Sequence, residues 1–301
     1  MVIAEKSLHV SPTVKPKLAI VIGQGGIKPA AAIPVFELLK QEDIPYDLIV
    51  GCSGGALVGG LVALGLSQEE IKKTLCRVAD AKYMQTPNTR QLLALMNIPF
   101  FTYRKTEGVL IPTLIEEDLK HVFGETTFEQ LGTPLTVAGT DFQTGENVPI
   151  NTGLVRDALY ASACIYPFMP PKKIGNRLIV DGALSDPIPF SVAAKEKPEM
   201  VIVISFTFFP DYCPEGFFDC CDNFFSQAIE KKGLKLLDAA TRAYPGKVVH
   251  IDICLDEQVS VLETHRLHNI IEKGEETAEK FRNKIVSTYK SIIDIKQKYG
   301  L

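Results

Sequence analysis

The chain has 301 residues, 46% of them hydrophobic and 23% charged, with a formal net charge of −4. That is enough chain for a full hydrophobic core with an ordinary globular balance, which excludes a disordered or fibrous protein. No basic run or stripe suggests nucleic-acid binding, and no run of 18 or more apolar residues would span a bilayer.

The first 16 residues hold no apolar stretch of signal-peptide length and read as a short leader, expected to be poorly ordered. Residues 17–22 (KLAIVI) form a short apolar run ending at a glycine cluster, the pattern of a buried parallel strand. Residues 29–40 follow with helical spacing at Ile33, Phe36 and Leu39, and Pro29 is tolerated in a first turn. A second strand at 46–50 and a second helix at 56–66 complete a strand–helix–strand–helix order, which predicts a parallel α/β sheet. Ser67 with Glu70 reads as a capping box opening another helix.

Residues 81–112 look irregular and rich in large apolar groups, 114–122 helical, and 135–139 and 178–180 like strands. Residues 200–206 and 248–254 read as further strands, and 262–295 as a long amphipathic helical region. With no repeat, low-complexity tract or linker, the expectation is one domain over 17–301. Its motif-bearing core covers about 17–195 and a C-terminal helical extension about 224–301. Seven cysteines (52, 76, 164, 213, 220, 221 and 254) form no C-x-x-C pair or usual zinc spacing, so reduced thiols and no metal are expected.

Two glycine clusters carry chemistry. Gly51-Cys52-Ser53-Gly54-Gly55 fits G-x-S-x-G between a strand and a helix, the context of a nucleophile elbow. Small neighbours permit the strained turn, and the following helix aims free N–H groups at developing negative charge. A glycine-rich turn with a capping serine is the other reading. Gly23-Gln24-Gly25-Gly26-Ile27-Lys28 fails the dinucleotide fingerprint at Lys28 and lacks G-K-[ST], although Asp47 stands where a ribose-binding acid would. Its alternative is an oxyanion hole from the N–H groups of Gly25, Gly26 and Ile27, with Lys28 adding positive charge.

A serine nucleophile needs a base. None of His9, His121, His250, His265 and His268 stands in a loop with a site signature, though a Ser-Asp-His order remains open. Asp181, after an apolar strand and before Gly182, is the better candidate, since strand-end acids in α/β proteins often face the ligand crevice. A turn aspartate in a D-G dipeptide is its bland reading.

These motifs together resemble the patatin-like phospholipases, in particular small bacterial members. The resemblance rests on Gly23–Lys28, on the G-x-S-x-G at 51–55, and on D-G-A at 181–183, in that order. It extends to Thr140-Asp-Phe-Gln-Thr-Gly145, to Ala161-Ser-Ala-Cys-Ile-Tyr-Pro167 with Pro170-Pro171, to Ser185-Asp-Pro-Ile-Pro189, and to 262–274, covering about residues 17–280. One departure is Pro29, where the family's first motif carries glycine after its basic residue.

The resemblance implies a three-layer α/β sandwich around a mainly parallel sheet. It implies a serine lipid acyl hydrolase working through an acyl-enzyme, with a Ser53–Asp181 dyad and no histidine, metal or cofactor. The implied oxyanion hole is Gly25, Gly26, Ile27 and Gly54, with Lys28 as supporting charge, and the implied substrate is a phospholipid, lysophospholipid or other lipid ester. Competing readings are a non-catalytic lipid-binding protein on the same fold and a nucleotide-binding α/β protein. Residues 206–225, eight of them aromatic, read as a loop that is either a lid touching the membrane or a buried insertion. A cytoplasmic protein with peripheral membrane contact is therefore expected.

Overall fold

The computed structural model describes residues 15–78, 87–207, 216–255 and 266–299. The first strand, β1 (Leu18–Ile22), is buried along its whole length. It feeds a 3₁₀ turn (Lys28–Ala32) that passes directly into α1 (Ile33–Gln41). The single helix expected over 29–40 is split because Pro34 lacks the N–H that would continue an i→i−4 ladder. Then come β2 (Leu48–Cys52), α2 (Gly54–Ala63) and α3 (Gln68–Val78). Ser67 and Glu70 form the expected capping interaction, with Ser67 N–H donating to Glu70 Oε2 at 2.8 Å.

The supposedly irregular 81–112 stretch contains α4 (Thr89–Leu95), capped by Asn88. After α5 (Thr113–Phe123) the chain enters β3 (Leu135–Asp141), β4 (Asn147–Ile150) and α6 (Val155–Ser162). The short strands β5 (Lys172–Ile174) and β6 (Arg177–Asp181) precede α7 (Phe190–Lys195) and β7 (Met200–Thr207). The last elements are α8 (Phe217–Arg242), β8 (Lys247–Cys254) and α9 (Leu267–Tyr299). The expected loop over 206–225 is thus regular at both ends, while its middle, 208–215, lies outside the described residues, as do 1–14 and the expected helix start at 262–265.

One sheet runs β5-β6-β3-β2-β1-β7-β8, with β4 also on β3. From β3 through β8 neighbours are parallel; β4, β5 and β6 form an antiparallel arm. Both faces are covered, which is why β1 is apolar at every position. Leu18, Ile20 and Ile22 pack into a core with α1, α2, α5, α6 and α9. Ala19 and Val21 face a second core closed by α7 and α8. The result is the three-layer α/β sandwich.

Candidate active site

The site stands at the carboxyl ends of β1 and β2, where open parallel sheets collect their ligands. Ser53 follows β2 and opens α2 with φ 54° and ψ −125°. A non-glycine residue there costs on the order of 1–3 kcal/mol and persists only when neighbours hold it. Ser162, wholly buried at the end of α6, does the holding: its Oγ accepts the Ser53 N–H at 2.8 Å and donates to Ala138 O at 2.6 Å.

The glycine-rich loop is pressed against this turn. Gly23 N–H donates to Ile204 O and Gln24 N–H to Pro187 O, both at 2.9 Å, so the loop is anchored to β7 and to the chain after β6. Gly26 has φ +59°. A Cβ on Gly54 would lie 1.8 Å from the Gly26 carbonyl oxygen, so glycine is required for that approach. Among the described residues the N–H groups of Gly25, Gly26, Ile27 and Gly54 meet no protein acceptor. Lys28 is buried at the start of the 3₁₀ turn.

Asp181 arrives by strand register. Cys52 of β2 pairs with Ala138 of β3, and the next β3 residue, Gly139, pairs with Asp181 of β6. β6 runs antiparallel to β3, so its end points opposite to the parallel strands. The strand-end rule that favoured Asp181 in the sequence therefore does not deliver it; the antiparallel arm does. Ser53 Oγ donates to Asp181 Oδ2 at 2.8 Å, with both side chains buried. The Ala183 N–H donates to Oδ1 at 2.8 Å, and Asp181 N–H donates to Cys164 O at 3.0 Å. Burial raises the Asp181 carboxyl from its ordinary 3.8 to about 6, against the opposing pull of the Ala183 N–H and the Ser53 hydroxyl. The adjacent Cys52 thiol is pushed well up by burial and by Asp181 and Asp186, so it stays protonated.

The model of the patatin-like phospholipases matches residues 20–194, more than half the chain. The chain belongs to that family. Among its relatives are uncharacterised NTE family proteins of Mycobacterium bovis and Mycobacterium tuberculosis, 28% identical over 202 residues, which is 67% of this chain and 52% of theirs. Lysophospholipase NTE1 of Cryptococcus neoformans is 23% identical over 232 residues, 75% of this chain and 14% of that protein. The chain thus spans about half the length of the mycobacterial relatives and far less of the fungal one. Among solved structures, VipD from Legionella pneumophila superposes with TM-score 0.50 at 12% identity, covering 90% of this chain and 67% of that one, a likeness of fold.

Within this patatin fold the described histidines lie apart from Ser53. His121 and His268 are exposed on α5 and α9. His250 is on β8, three strands from β2, or roughly 14 Å at the usual inter-strand spacing. His9 and His265 fall outside the described residues. No group of three or more His, Cys, Asp or Glu suited to a metal occurs among the described residues, nor any helix long and apolar enough to cross a membrane. Sequence reasoning quoted Ser162 within a motif without giving it a task. The signal was a serine between small residues after a helix, but its use depends on the unpaired N–H of a turn 109 residues away.

Proposed function

We propose that this chain is a serine lipid acyl hydrolase of the phospholipase, lysophospholipase or esterase type, with Ser53 as nucleophile and Asp181 as its sole base. The observation that carries this reading is the 2.8 Å hydrogen bond from Ser53 Oγ to Asp181 Oδ2 at a strained strand–helix turn. Membership of the patatin-like family and the name of the fungal relative support a lipid ester as substrate. So do Ile165, Phe168 and Leu184, apolar side chains exposed close in sequence to the Asp181 hydrogen-bonding partners.

The Asp181 carboxylate takes the Ser53 hydroxyl proton as Oγ bonds to the ester carbonyl carbon. The carbonyl oxygen becomes an oxyanion received by the N–H groups of Gly25, Gly26, Ile27 and Gly54. Ser53's own N–H is occupied by Ser162 and contributes nothing there. Lys28, buried at the start of the 3₁₀ turn, is the basic residue next to this loop. Collapse expels the alcohol, which leaves with the proton from Asp181, and the acyl group remains on Ser53. Water then attacks the acyl carbon, giving its proton to Asp181; collapse frees the acid and returns that proton to Ser53 Oγ. A pKa near 6 suits both directions, because the group is ionised at neutral pH yet protonates readily.

Intact-protein mass spectrometry after fluorophosphonate treatment tests the reading. Wild type is expected to gain one adduct, Ser53→Ala none, and Asp181→Asn the same adduct at least about 10²-fold more slowly. A folded wild type without an adduct would sink it in favour of a lipid-binding protein on the same fold.

A further inference from the structure

Residues 87–110 form a closed excursion from the sandwich. Pro87 and Leu110 make an isolated antiparallel bridge, and Asn88 N–H donates to Val109 O at 2.8 Å. Between these points α4 buries a glutamine and exposes large apolar groups. Gln91 is almost fully buried, its Nε2 donating to Arg104 O at 2.6 Å and its Oε1 accepting the Arg104 N–H at 3.2 Å. Ala94 is buried beside it, while Leu92, Leu95 and Met96, at helical spacing i, i+3, i+4, form an exposed apolar strip, Met96 by 70%, next to exposed Thr89 and Arg90. Beyond the helix Phe100 is fully exposed, at 103%, and Phe101 and Tyr103 are exposed too. A helix meant for water shows the reverse polarity. An exposed apolar strip on the helix continued by Phe100, Phe101 and Tyr103 makes a surface suited to meet an apolar medium.

The charge of the segment favours one such medium. Residues 87–110 hold Arg90, Arg104 and Lys105 against a single acid, Glu107, in a chain whose net charge is −4. Glu107 lies 3.0 Å from Arg104 and 3.8 Å from Arg90, which leaves the segment positive. Two copies of this chain meeting through the face would set these cations against themselves, whereas anionic lipid headgroups attract them.

The face is also tied to the site. Val109 N–H donates to Pro167 O at 3.1 Å and Leu110 N–H to Phe168 O at 2.9 Å, while Tyr103 is hydrogen-bonded to Tyr166. That same loop begins at Cys164, whose carbonyl accepts the Asp181 N–H. Ile165 and Phe168 on the loop, and Leu184 just past Asp181, carry the exposed apolar surface toward the dyad.

We propose that the outward face of residues 92–103 seats itself in the surface layer of a bilayer containing anionic phospholipid and holds the Ser53 site against it. The benefit of doing so rests on the hydrolase reading, but the binding does not. The test uses the full chain carrying Ser53→Ala, so that lipid is not consumed, and sedimentation with vesicles of phosphatidylcholine alone or mixed with phosphatidylglycerol.

Partition onto the mixed vesicles, weakening with salt, is expected. It should fall about tenfold or more in Leu95→Ser/Met96→Ser/Phe100→Ser and less in Arg104→Gln/Lys105→Gln. In the Ser53-intact chain the triple variant should keep its rate on a soluble short-chain ester and lose rate on vesicles. No partition by the Ser53→Ala chain, or partition untouched by the triple substitution, overturns the proposal. A dimer in sedimentation velocity that the triple variant dissolves, with vesicle binding unchanged, gives the face to a second copy instead. If the chain is not a hydrolase, neither substrate is consumed while the vesicle result stands.

Discussion

Among the described residues two buried serines touch carboxylates, and they are built differently. Ser53 stands at a strained turn and donates to Asp181 at 2.8 Å. Ser205, within β7, donates to Asp252 Oδ1 at 2.6 Å and lies 2.8 Å from His250 Nε2; Thr207 donates to the other Asp252 oxygen at 3.0 Å. The second cluster holds all the residue types of a hydrolytic triad but not its order, because the acid meets the serine directly. With the Ser205 proton given to Asp252, His250 Nε2–H donates to Ser205. Burial lowers the His250 pKa despite the attraction of Asp252. The Gly23–Gln24 turn shares a small cavity with Ser205, but Ser205 itself opens no helix and its backbone is that of an ordinary strand. The lesson is that residue types do not make a nucleophile. On the proposed reading, what singles out Ser53 is a backbone that presents its hydroxyl beside open N–H groups.

The sharpest way to break this contrast is to alter only the backbone approach at Ser53. In Gly54→Ala the new methyl would meet the Gly26 carbonyl at 1.8 Å, so turn and loop must part. Turnover of a short-chain ester should drop about 10²–10³-fold, the usual size for loss of an oxyanion donor, with the dyad residues unchanged. Circular dichroism checks that the fold survives. A Gly54→Ala enzyme of near-normal rate would mean that the Gly23–Lys28 loop is not the hole.

How legible each part was in the sequence follows from the same physics. β1 and β2 are continuous apolar runs because both faces of a central parallel strand are covered, and such runs are visible at once. The antiparallel arm was only partly visible: β5 has three residues, β4 four with a proline among them, and neither buries a clean alternating face. α4 was hidden because it has only seven residues and several of its large apolar groups are exposed, so no apolar face of helical period stands out. At the site, Ser53 and Asp181 were legible through motif resemblance. Ser162 was not, since nothing local shows that an N–H far along the chain needs an acceptor. The arrival of Asp181 on a strand running backwards is a matter of register, which no local pattern encodes.

Titration gives a smaller but more specific effect. In the proposed mechanism Asp181 must be ionised to accept the serine proton, and burial places its pKa at about 6. The ionised fraction, and with it kcat/KM, should fall about tenfold from pH 7 to pH 5. A limb near 4 would mean that the carboxyl is effectively solvated. The same shift carries a stability sign. The folded state holds this proton more tightly than the unfolded chain, so stability present below the ordinary 3.8 is lost as pH rises through about 6. Asp181→Asn removes that loss. It should stabilise the protein by about 2–3 kcal/mol at pH 8 and by far less at pH 4, read as Tm against pH.

The smallest expected effect on rate probes the other cluster. His250 lies on β8, separated from β2 by β1 and β7, so it has no reach to Ser53. Replacing Ser205 by alanine leaves Asp252 Oδ1 and the His250 ring nitrogen without their common partner inside the sheet edge. Because Asp252 is exposed and water can take the lost donor's place, that should cost at most about 1 kcal/mol of stability. Ester turnover and fluorophosphonate labelling should stay within about twofold of wild type in both Ser205→Ala and His250→Ala. A His250→Ala enzyme as inactive as Ser53→Ala would reverse the assignment, because a proton path would then have to cross three strands to the elbow. Unchanged labelling with a lowered Tm would instead mark the Ser205–His250–Asp252 cluster as a hydrogen-bonded clamp joining β7 to β8.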